Sequence, residues 1–78
     1  MRCIVTLIWH EGVWLSDVNT SDGEPVRLTL ESGSCDVLME RVRYALPEML
    51  ELNFGYTGDV EVLFEIKRID IVRGVVTA

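Results

Sequence analysis

Seventy-eight residues, 49% of them hydrophobic and 26% charged, specify one thin-cored globular domain and exclude both a disordered chain and a multidomain one. Thirteen acidic against seven basic residues leave a formal charge of -6, a surface that repels phosphate backbones and suits a basic protein partner. The seven cations, at positions 2, 27, 41, 43, 67, 68 and 73, are too scattered to form a basic run, so direct nucleic-acid binding is not expected.

The opening MRCIVTLIWHEG lacks the charged stretch, long apolar core and small-residue cleavage site of a secretory leader. Residues 3–9 are also too few to cross a bilayer. A cytoplasmic location without membrane attachment is the expectation. Cys3 and Cys35 fall in neither a CxxC nor a zinc-ligand spacing, and they read as buried thiols rather than a disulfide or a metal site.

From Arg2 to His10 the chain is β-branched, aliphatic or aromatic without Gly or Pro, which predicts a strand. Cys3, Val5, Leu7 and Trp9 take one face and Ile4, Thr6 and Ile8 the other, so both faces are apolar and the strand is central. Glu11-Gly12 makes a tight turn, and Val13 to Val18 returns as a second strand. Asn19 to Pro25 gathers turn formers before a third strand in which Val26, Leu28 and Leu30 alternate with Arg27, Thr29 and Glu31. Its single wet face puts it near a sheet edge.

Ser34 caps a helix, with Asp36 near the positive end of its dipole. Leu38, Val42, Ala45, Met49 and Leu52 recur at spacings of four and three as its apolar stripe. Pro47 removes a helical donor, predicting a kink or brief break. Asn53 to Gly58 ends the helix. In the last strand Val60, Val62, Phe64 and Ile66 share a face, whereas Ile69 and Ile71 have the other parity, so a bulge or bend is expected between Ile66 and Ile69. Val72 to Ala78 continues as an arm or frays.

These elements define an α+β fold, β-β-β-α-β, with a four-stranded mixed sheet in the order 3-2-1-4 and a core over about residues 3–72. A right-handed crossover through the helix brings the last strand parallel to the first. One helix covers one face, and the apolar residues on the other, Ile4, Ile8, Leu63 and Ile69, require a second copy, giving a homodimer or higher oligomer, or a different protein.

The chain is similar to the HicB-like antitoxin superfamily, in a single-domain branch of unknown function with a partial RNase H-like sheet. Three features carry the resemblance: a first strand leading into Trp9-x-x-x-Val13-Trp14, a three-strand meander, and a Leu-rich helix VLMERVRYALPEMLELN containing Leu46-Pro47-Glu48-Met49-Leu50. It spans roughly Cys3 to Val72. It departs at Ser21-Asp22-Gly23-Glu24-Pro25, where many relatives carry a Pro-Gly-Leu or Pro-Gly-Cys turn. The resemblance implies an antitoxin that blocks a HicA-type toxin, a small basic RNA-cleaving protein. Full antitoxins often add a DNA-binding domain, and none is read here, so promoter binding by this chain is not expected.

No catalytic chemistry is expected. An RNase H centre needs converging carboxylates on two metal ions with an Asp in the first strand, and Cys3 to Trp9 carries no acid, so Asp36, Glu40 and Asp70 do not make one. His10 beside Glu11 reads as a solvated turn residue rather than a general base. Cys35 at a helix start could have its thiol pKa lowered by the amide dipoles, but packing is the preferred role. No Gly-rich phosphate loop or zinc spacing is present, and no cofactor is expected.

The candidate residues are therefore those of a partner interface: Trp9, Trp14, Asp17, Asp22, Glu24 and Glu31. The two Trp residues flank the hairpin as potential anchors, core packing being the alternative. The four acids form a rim suited to a basic toxin, a merely solvated edge being the alternative. Two functions remain open: a non-catalytic HicB-like module neutralising a HicA-like toxin, or a stand-alone homo-oligomeric structural or regulatory domain. A small-ligand pocket is disfavoured by so thin a core.

Overall fold

The computed structural model describes residues 1–68, 70 and 72–75. β1 (Arg2–His10) and β2 (Val13–Thr20) form an antiparallel hairpin in which His10 faces Val13 across a two-residue turn. Glu11 and Gly12 both have positive φ, 49° and 83°, the conformation whose twist matches that of the flanking strands. β2 extends two residues beyond the expected Val18, because Thr20 turns the chain itself: its carbonyl accepts from Gly23 N–H at 2.9 Å and its Oγ1 from Glu24 N–H at 3.1 Å.

The expected third strand is broken into two short pieces, β3 (Pro25–Val26) and β4 (Glu31–Ser32), both antiparallel to β2. Val18 pairs with Val26 but Leu15 pairs with Glu31, so residues 27–30 stand against residues 16–17 and the strand must buckle. Ser16 bridges the buckle, its N–H donating to the Leu30 carbonyl at 2.9 Å and its Oγ accepting from Leu30 N–H at 3.0 Å.

α1 (Cys35–Phe54) starts at Ser34, whose extended backbone and hydroxyl accept the first free amides. It is continuous through Pro47, so of the expected kink or brief break the break does not occur. Pro47 is exposed, so the carbonyl one turn earlier that loses its donor can bond water. Gly55, with φ 66°, closes the helix: its N–H bonds Glu51 O at 2.9 Å and Tyr56 N–H bonds Leu50 O at 3.3 Å.

The buried stripe is Leu38, Val42, Leu46 and Leu50, a uniform spacing of four, with Ala45 and Met49 only partly buried and Leu52 72% exposed. The expected stripe ending at Leu52 is thus rotated. Residues four apart run slantwise around a helix, and that slanted row is the one that fits against a twisted sheet.

β5 (Glu61–Arg68) lies parallel to β1, giving the order β3-β2-β1-β5 with β4 also on β2. This matches the expected 3-2-1-4 order, the third position being shared by β3 and β4. The core joins Cys3, Val5, Leu7 and Val18 of the sheet to Val26, Leu28 and the helix stripe. α1 packs over β2, β3 and β4, so the same side of β5 is less covered: Val62 and Phe64 are half-buried and Ile66 is 60% exposed. The parity change at Ile69 and Ile71, and the end of the expected arm at residues 76–78, lie outside the described residues.

Candidate protein-docking face

Side chains of paired residues share a face, so the ladder assigns each strand position to one side of the sheet. The β1–β2 and β1–β5 registers put Ile4, Thr6 and Ile8, Val13, Leu15 and Asp17, and Leu63, Glu65 and Lys67 together on the side that α1 does not cover. Ile4, Ile8, Val13 and Leu15 are half-buried only by their neighbours, and Leu63 is exposed. The result is a diagonal aliphatic band from Leu15 and Ile8 to Ile4 and Leu63, interrupted at Thr6 and flanked by Asp17 on one side and by Glu65 and Lys67 on the other.

Of the six interface candidates, Asp17 and Glu31 belong to this open face, Glu31 lying opposite Leu15. Trp9 and Trp14 do not. They pair with each other on the helix side, ring centroids 5.4 Å apart and tilted by 58°, both half-buried, with the Arg68 guanidinium 5.9 Å from the Trp9 ring. Trp14 packs against the core. Asp22 and Glu24 sit in the turn after Thr20, about 20 Å along β2 from Trp14 at ordinary strand rise. Residues missed by the sequence reading, Leu15 and Glu65, complete the face, and the two-residue hairpin loop already implied Leu15's place, since it sets His10 against Val13 and hence Ile8 against Leu15.

Arg2 holds Glu61 at 2.8 Å, and that hydrogen bond and charge keep the Glu61 carboxyl below its ordinary pKa. His10 is an exposed turn residue 3.8 Å from the Glu11 carboxylate. Burial raises the thiol pKa of Cys3, and burial together with Asp36 raises that of Cys35, the opposite direction to activation by the helix dipole. Among the described residues, both cysteines are free and no His, Cys, Asp and Glu cluster has metal-site geometry. An open cleft of about 650 Å³ is lined by Arg43 and Leu46 of α1 and by Val62 and Phe64 of β5, with the Arg43 guanidinium 5.3 Å from the Phe64 ring centroid.

Fold and face together define a small β-β-β-α-β domain with a mixed sheet covered on one side. The chain belongs to the family described as a domain of unknown function, DUF1902, whose model matches residues 2–77. No curated protein and no solved structure matches it. Among the described residues, no helix is long and apolar enough to cross a membrane.

Proposed function

We propose that this chain is a non-catalytic protein-binding module, a HicB-like antitoxin that neutralises a HicA-type RNA-cleaving toxin by seating it on the open sheet face. The observation that carries this reading is the aliphatic strip of Ile4, Ile8, Leu15 and Leu63 flanked by Asp17, Glu31 and Glu65, in a chain of net charge -6. Apolar contact supplies affinity there, and the carboxylates attract a basic surface and hold it in register. The β-β-β-α-β order is the one the HicB resemblance implies, which supports the same reading.

The partner is a small basic protein whose RNA-binding surface is occluded once it is docked. Co-expression with a HicA-type toxin tests the proposal: restored growth and co-purification of the pair are expected, and toxicity unrelieved without co-purification would overturn it.

A further inference from the structure

The outer edge of β5 is an eight-residue strand with no neighbour among the described residues. Glu61 N–H donates inward to Met1 O at 2.9 Å, so the odd-numbered amides and carbonyls of β5 face β1 and those of Val62, Phe64 and Ile66 face outward. An edge of this length with apolar side chains is a template for another strand. Beside it, on the helix side, lie half-buried Phe64 and exposed Ile66, which α1 leaves partly open.

We propose that this edge pairs with β5 of a second copy, antiparallel about a two-fold axis through Phe64. That register makes Val62–Ile66 and Phe64–Phe64 the hydrogen-bonded pairs, using every outward amide and carbonyl from Val62 to Ile66. It sets Glu61 of each copy opposite Lys67 of the other at the closer, non-hydrogen-bonded positions. Charge selects it among the registers that align most of the strand. Centring the axis on Leu63 would oppose Glu61 to Glu65, and centring it on Glu65 would oppose Glu65 to itself, both unfavourable. The apolar pairs join on the helix side, extending cover over the open flank of the cleft between α1 and β5. The Glu61–Lys67 and Leu63–Glu65 pairs lie on the open side, so the docking faces of the two copies adjoin across the seam.

The test is sedimentation equilibrium of the wild type, of Lys67→Glu, of Glu61→Lys, and of an equimolar mixture of the two variants, with circular dichroism to follow folding. Each variant alone places like charges together twice and is expected to dissociate about tenfold more readily than wild type, while the mixture restores two attractive pairs and wild-type association. A wild type that stays monomeric at millimolar concentration, or a mixture that associates no better than its components, would overturn the proposal. Should Glu61→Lys unfold through loss of its Arg2 contact, Phe64→Asp serves in its place, and a dimer undiminished by that change would equally overturn it.

Discussion

Ser16 and Leu30 hold each other by both backbone and side chain: Ser16 N–H reaches the Leu30 carbonyl at 2.9 Å, and Leu30 N–H reaches Ser16 Oγ at 3.0 Å. Ser16 is buried, so its hydroxyl replaces the ladder bond that the buckle at residues 27–30 removes. Ser16→Ala leaves the Leu30 amide without a partner, and urea titration should record a loss of about 1–2 kcal/mol. A change within experimental error would show that water substitutes freely.

The helix stripe makes a second test. Leu46→Ala removes a fully buried side chain and should cost about 2–5 kcal/mol. Leu52→Ala, on an exposed position, should stay within about 0.5 kcal/mol of wild type. Comparable losses at both sites would restore the stripe expected from sequence.

Glu11 occupies a left-handed conformation, φ 49°, that a Glu side chain disfavours. Glu11→Asn, a residue that tolerates the turn, should raise stability by about 1 kcal/mol, and Glu11→Val should lower it. Thermal melts of the two variants measure both effects. A Val variant as stable as the Asn variant would contradict the turn geometry.

Cys3 and Cys35 both have thiol pKa values raised above the ordinary 9.0. Between pH 9 and the folded-state value, the unfolded chain loses thiol protons that the folded chain keeps. The neutral thiols' contribution is therefore complete below pH 9 and declines as pH rises through that window. The decline should be shallower in Cys3→Ala than in wild type, whatever the variant's stability at neutral pH. Native Cys3 should also resist thiol reagents until the protein unfolds.

Local chemistry made much of the fold legible. The Gly- and Pro-free run from Arg2 to His10, the Glu11-Gly12 turn, the Ser34 cap and the Asn53–Gly58 stop correspond to real boundaries, and their order dictates the sheet. The buckle did not show because Val26, Leu28 and Leu30 keep alternating straight through it. Leu46 was passed over because alternating four-and-three spacing and uniform four spacing fit the same helix, and only the sheet's twist decides between them. Trp9, Trp14, Asp17, Asp22, Glu24 and Glu31 were grouped by residue type, whereas register divides them between two faces and the two ends of β2.

Affinity of the open face for a HicA-type toxin, measured by calorimetry on two variants, is the most direct test. Leu15→Lys places a charge on the aliphatic strip and should weaken binding at least about tenfold. Tyr44→Lys, on the exposed side of α1, should leave binding unchanged. Full affinity in the Leu15 variant with loss in the Tyr44 variant would put the partner on the helix and contradict the assignment.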